Sequence, residues 1–395
     1  MLRSLFSGIS GLRAHQQMMD VTGNNIANIN TTGYKSSQAT FQDTLSQMVR
    51  SAGTPQPGAT GGTNPAQVGL GVRMAGINTN FAQGAAQNTG RDTDLMIQGD
   101  GFFVVQNSGQ DYYTRNGSFS FDTNGQLTTS DGGLVQGWAA NGAGVINTNA
   151  TASPVTLPTG TLLPPTPTAN VTVTGNLPAN TTSTSPIVTS ITTYDAQGAP
   201  VTLSASFTPV NANQWTVDLS DGATTSGPYT LDFTNGGSPT PTPNPVTVNG
   251  VNVDLSGVTS YSGLSTVAAT KQDGSTAGNL QSFTISPDGT LVGVFSNGLK
   301  QNIAQLALAN FSNPTGLTKA GDSMYQTTAN SGVAQVGTAG SAGRGVLQQG
   351  ALEMSNVDLA QEFTNLVIAE RGFQANSRVI TTSDELLQDL VNIKH

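Results

Sequence analysis

LEMSNVDLAQEFTNLVIAERGFQANSRVITTSDELLQDLVNIK, residues 352–394, decides how the chain is read. Leu352, Leu359, Leu366, Phe373, Ile380 and Leu387 recur at every seventh position, with Ala369, Asn376, Ser383 and Leu390 in a second row. A seven-residue repeat keeps one apolar stripe facing a partner while two helices supercoil left-handedly. The pattern therefore predicts a long helix that packs on other helices as a coiled coil. Gly372 is the one glycine in the helix and proline is absent. At 1.5 Å per residue the rod would be about 60 Å long, too long to be covered by a core of its own.

The other end of the chain offers a matching element. Leu2, Leu5, Ile9, Leu12 and Met19 recur in steps of three and four, with Gln16 breaking the row, so residues 2–20 are predicted to form an amphipathic helix. Residues 1–50 carry Arg3, Arg13, Lys35 and Arg50 against Asp20 and Asp43, whereas residues 350–395 carry seven acids against Arg371, Arg378 and Lys394. Opposite net charges favour pairing of the two ends. Their apolar rows are too few to offset the entropy of ordering both segments. The ends are therefore expected to be loose in an isolated molecule and to fold as several copies pack, the heptad row giving cohesion between copies.

Between the ends the pattern turns to strands. GNNIANINTTGYK, residues 23–35, is rich in residues that tolerate left-handed backbone and bond to it locally, which predicts an ordered turn that stops the first helix. Phe41, Leu45 and Met48 suggest a helix over 36–50, and the Gly- and Pro-rich residues 51–68 suggest a loop. From 70 to 140, short apolar runs such as Gly101-Phe-Phe-Val-Val105 alternate with turn signals such as Asn124-Gly125, and the same style resumes after 280. The intervening segment has no charged residue between Asp131 and Asp195, and it carries a polyproline-type tract at 238–245.

The reading is an α+β chain with nested parts. A terminal helical polymerisation domain comprises 1–69 plus 346–395, an inner β domain 70–145 plus 281–345, and an inserted outer β domain 146–280. The links near 140–150 and 275–285 are the expected hinges.

With 395 residues, the chain can hold two or three cores. Charged residues are only 9%, and the net charge of −9 argues against nucleic acid or an anionic membrane surface as partner. Cysteine is absent, which excludes disulfides and thiolate chemistry. Nowhere do 18 apolar residues run together, and the N-terminus lacks the apolar core of a cleaved secretory signal, so these features by themselves suggest a cytosolic protein.

The two histidines, His15 and His395, cannot build a His-based triad or zinc site. Asp92, Asp94, Asp122 and Asp131 neighbour turn residues, where Asp is ordinarily structural. Gly69-Leu-Gly71 and Gly99-Asp-Gly101 lack nucleotide-loop spacing. No enzyme activity, metal or cofactor is expected.

Both ends closely resemble the bacterial flagellar rod and hook axial proteins, through SGISGLRAHQQMMDVTGNNIANINTTGYK and SNVDLAQEFTNLVIAERGFQANSRVITTSDELLQDLVNIK. DLMIQGDGFFVV looks like the inner domain of that family, and SITTYDAQGAPVTLSASFTPVNANQWTVDLSDG resembles the outer domain of its hook members. The resemblance implies a homopolymer forming a short curved tube, a universal joint that passes torque from rod to filament. It also implies export through the flagellar type III apparatus to an extracellular position, which overrides the cytosolic reading. A distal rod protein, a hook cap protein and a hook–filament junction protein are the implied partners. Gly23, Asn24, Asn25, Ala27, Asn28, Thr31, Gly33 and Tyr34 match the family's motif turn. A distal rod protein with an enlarged insertion, and a secreted β-rich adhesin that borrowed these ends, are the alternatives.

Overall fold

The computed structural model describes every residue except 1, 56, 57, 59, 60, 159–161, 180–184, 234–236, 238, 243, 244 and 393–395. Part of the tract at 238–245 and the last residues of the expected C-terminal helix, including Lys394, thus lie outside the described residues, as do the side chains of Leu2 and Leu390. The chain is β-rich and bounded by two helices, α1 (Leu2–Ala27) and α2 (Leu359–Asn392). It divides into two compact units, one of Met1–Leu157, Phe283–Val292 and Gln301–His395, the other of Pro158–Ser282 and Gly293–Lys300.

In the first unit, α1 is followed by β1 (Ser37–Asp43), β2 (Ser46–Arg50), β3 (Ala66–Gly69) and β4 (Val72–Thr79). The antiparallel pairs β1–β4 and β2–β3 replace the helix expected over 36–50. Phe41, Leu45 and Met48 imitate a helical period, but each strand's backbone partner lies well along the chain, and that pairing overrides the local pattern. Next come β5 (Ala86–Asn88) and β6 (Leu95–Gln98), which pair with Ala351–Glu353 and Val346–Gln349. Leu352, expected to open the last helix, is therefore a buried strand residue.

β7 (Phe102–Asn107) and β8 (Gln110–Thr114) form the centre of a larger antiparallel sheet, with Leu134–Ala139 beside β7 and Met324–Gln326 beside β8. Over it Phe102, Tyr113, Trp138, Phe311 and Tyr325 build an aromatic core with edge-to-face geometry, as in the 5.6 Å approach of Phe102 and Phe311.

The second unit is a sandwich of two sheets over one core. One is an antiparallel five-stranded meander running from Ile187–Tyr194 to Thr240–Thr242; the other places Asn170–Pro178 parallel to Val251–Tyr261. Val171, Leu177, Phe207, Trp215, Leu219 and Leu255 fill the space between.

The first unit keeps the chain to Leu157, because Val155 and Leu157 are buried there and Val155 accepts a backbone hydrogen bond from Leu127. The boundary thus falls later than the expected 146. The chain crosses between units four times, where two links were expected, since the segment Gly293–Lys300 returns to the second unit.

Phe207 is fully enclosed. Phe207→Ala should destabilise the second unit by about 3–5 kcal/mol, measured by denaturant unfolding with Trp138 replaced by Phe so that Trp215 alone reports; a loss below about 1 kcal/mol would contradict the shared core.

Candidate assembly interface

The helix pair is the first element of the interface. Asp358 caps α2, its Oδ1 accepting from the N–H groups of Ala360 at 2.9 Å and Gln361 at 3.2 Å. That cap, not the heptad count, sets where the helix begins. α1 extends to Ala27, past the expected stop, so Gly23, Asn24, Asn25 and Ala27 are helical while Asn28, Thr31, Gly33 and Tyr34 form the turn. Gly23 has open space around it and helical backbone, so nothing local ends the helix there.

α1 and α2 run antiparallel: Asn25 meets Glu362, His15 meets Gly372, and Gly11 meets Asn376. On α1 the face turned inward is small and polar. Gly8, Gly11, Ala14, Thr22 and Asn25 are the buried positions, while Leu5, Ile9, Leu12 and Met19 are half-buried beside them. A Cβ at Gly372 would stand 2.5 Å from the His15 ring, and one at Gly11 would stand 2.6 Å from Asn376 Oδ1, so the helices approach at glycines.

On α2 the heptad rows face α1 of the same chain. Ala369 and Ser383 are buried, and Leu366, Phe373, Asn376, Ile380 and Leu387 are half-buried. Polar seam groups are satisfied within α2, as where Ser383 Oγ donates to the Val379 carbonyl at 2.7 Å. Within the single chain this row packs against α1, and its members other than Ala369 and Ser383 stay partly exposed. Leu359 and several other apolar residues stay outside the seam: Phe363, Val367, Ile368 and Leu386 are each more than half exposed.

The turn ties the pair to the β body. Asn25 Nδ2 donates to the Ser37 carbonyl at 2.7 Å and to Glu362 Oε1 at 3.0 Å, and its Oδ1 accepts from the Ser37 N–H and the Tyr34 hydroxyl. One buried amide thereby joins α1, β1 and α2. Gly33 adopts φ +68, and a Cβ there would lie 2.5 Å from the Asn116 nitrogen; its N–H donates to the Glu353 carbonyl at 2.7 Å.

Beneath the turn lies an ion cluster that sequence reasoning missed. Lys35 and Glu353 are both fully buried and Arg115 is 2% exposed. Lys35 Nζ donates to Glu353 Oε1 at 2.6 Å and to the Ala82 carbonyl at 2.8 Å. Arg115 Nη1 donates to Glu353 Oε2 at 3.4 Å, and the Gly84 N–H donates to Oε1 at 2.8 Å. Burial pushes the Lys35 ammonium below the usual lysine range; Glu353 opposes that shift and Arg115 adds to it. The Arg115 guanidinium stacks over Phe102 at 5.3 Å. Such a cluster positions chain ends; it has no open face for a substrate. Among the described residues no group of three or more His, Asp or Glu is placed to hold a metal, and no described helix is long and apolar enough to cross a membrane.

Glu353→Gln leaves two buried cations without their counter-charge and should cost about 3–5 kcal/mol in thermal or urea unfolding; a cost under about 1 kcal/mol would show that the cluster is solvated. Gly372→Leu drives a side chain into His15 and should raise amide hydrogen exchange along 359–392 while the strands stay protected; unchanged exchange would refute the glycine contact.

Comparisons with known proteins bear on the whole chain. Family models match at residues 5–35 (Flagella basal body rod protein), 96–179 (Flagellar hook protein FlgE/F/G D1 domain), 163–275 (Flagellar basal body protein FlaE D2 domain) and 348–393 (Flagellar basal body rod FlgEFG protein C-terminal). The Flagellar hook protein FlgE of Treponema pallidum is 38% identical across all of both chains, and that of Salmonella typhimurium is 36% identical over 99% of this chain and all of the relative. The Flagellar basal-body rod protein FlgG of Bacillus subtilis is 33% identical across all of both chains. The crystal structure of Helicobacter pylori flagellar hook protein FlgE2 superposes with a TM-score of 0.54 at 14% identity, covering 68% of this chain and all of that one, a likeness of fold. Relatives 36–38% identical over essentially the whole chain, with family-model matches spread from residue 5 to residue 393, place the chain in the family of bacterial flagellar hook and rod proteins.

Proposed function

We propose that the chain is the structural subunit of a flagellar hook, polymerising with copies of itself into a curved, flexible tube that passes torque from rod to filament. The observation that carries this reading is similarity to hook proteins over the full length, inserted domain included. The architecture supports it physically. The helix pair is closed within one chain, yet Phe363, Val367, Ile368, Leu386 and Phe6 remain exposed along it. A chain that leaves such a flank uncovered gains by packing against others.

Bending requires contacts that slip. The second unit offers Thr-, Ser- and Asn-rich surfaces most of whose few acids are satisfied locally: the Thr224 and Ala223 N–H groups hold the Asp221 carboxyl below the usual carboxylate range. Surfaces of this kind exchange water-mediated contacts without breaking strong ion pairs. Export through the type III apparatus, an extracellular position, coiled-coil packing in the polymer, and contacts with rod, cap and junction proteins belong to the same proposal. So does a polymer contact built from α1 and α2, including Leu2, Leu5, Leu12, Leu359 and Leu390.

A rod role is the second reading, favoured by the whole-chain similarity to a rod protein. Electron microscopy of the purified, concentrated chain separates the two. Curved tubes are expected; straight tubes would shift the assignment to the rod, and persistent monomers would overturn both.

A further inference from the structure

The seam row of α2 faces its own chain's α1, so the exposed faces beside it are the ones most open to a second copy. Two of these fit each other. The first is a cleft of about 460 Å³ between α1 and β4, with Phe6, Ile9, Leu70 and Met74 as apolar lining and Arg13 and Arg73 among its charged groups. It is held open by design of the backbone: the Val72 N–H donates to Ser10 Oγ at 3.2 Å, pinning β4 to α1, and Gly71, at φ +123, is the only residue type that can pass so near Ser10. Gln42 steadies Arg73 once its side-chain amide is turned oxygen-inward, the oxygen then accepting from Nη2 at 2.7 Å. The second face is on α2, where Phe363, Val367 and Glu370 follow one another at i, i+4 and i+7, turned away from the seam and exposed.

We propose that the α1–β4 cleft of one copy receives the Phe363–Val367–Glu370 face of α2 from a second copy, the two apolar side chains entering the cleft and Glu370 facing Arg13 and Arg73. The inference rests on the hook reading and names the surfaces that would join its subunits. Apolar anchors at helical spacing laid in a groove are a general mode of recognition, and the charges match in sign.

One chain cannot make this contact with itself. In the antiparallel pair, Gly11 at the cleft is level with Asn376, whereas Phe363 lies near the level of Asn25. Measured from Val367, the middle of the face, to Asn376, cleft and face are offset by about nine residues, roughly 14 Å along the helices. A second copy shifted along the axis brings them together. Because the two surfaces differ, each added copy presents a fresh cleft or a fresh face, and such a head-to-tail contact propagates as an open helical polymer and does not close as a dimer.

The test uses two full-length variants, Arg13→Glu with Arg73→Glu, and Phe363→Ser with Val367→Asp, followed by sedimentation. Each alone should raise the concentration needed for polymerisation at least about tenfold. Mixed in equal amounts, the first variant still offers its α2 face and the second its cleft, so they should form a one-to-one pair that does not elongate. Pairing in the mixture also shows that both variants are folded. Tubes formed by either variant as readily as by the unaltered chain would overturn this contact while leaving the hook reading in place, and a mixture that stays monomeric would overturn it too. An unaltered chain that never polymerises would overturn the hook reading as well.

Discussion

One carboxylate holds the two ends of this chain to its body. Glu353 closes the last strand before α2, Lys35 closes the turn after α1, and Arg115 comes from the large sheet; all three are out of water. A buried acid between two buried cations is tolerable only while each partner stays in place, because any one left alone bears an uncompensated desolvation cost. The turn and the last strand are therefore placed together or not at all. The Gly33 N–H on the Glu353 carbonyl and the Gly84 N–H on its carboxylate add the backbone to the same constraint.

From that anchor the helix pair follows. With the roots of α1 and α2 fixed side by side, Asn25 sets their spacing by bridging Ser37 and Glu362, and glycines at 8, 11 and 372 let the rest close. The interface is thin in apolar area and precise in shape. The α1 side of its seam is small and polar, and several large apolar side chains stay on the flanks, which is how a pair closed within one chain still has apolar surface to offer another copy.

Periodicity makes the terminal helices and the β character of the centre legible in the sequence. Leu366, Phe373, Ile380 and Leu387 do line one face, but their partner is the chain's own α1, and a repeat carries no information on whose helix it meets. Leu352 fell in step with the heptad by coincidence; Asp358 with Gln361 three residues on was the local sign of the true start. Gly23 and the Asn pair suggested a stop, yet burial of Asn25 against Ser37 and Glu362 keeps them helical, a tertiary effect. The cluster of Lys35, Arg115 and Glu353 had no local sign at all, since 318 residues separate its closest pair.

Each subunit keeps its own two ends together, and the assembly depends on that. A cryo-electron-microscopy reconstruction of the polymer at side-chain resolution tests it most directly. It should find Gly11 beside Asn376 of the same chain, with Glu353 still between Lys35 and Arg115. Finding α1 paired with α2 of a neighbouring copy, or Lys35 drawn away from Glu353, would contradict it.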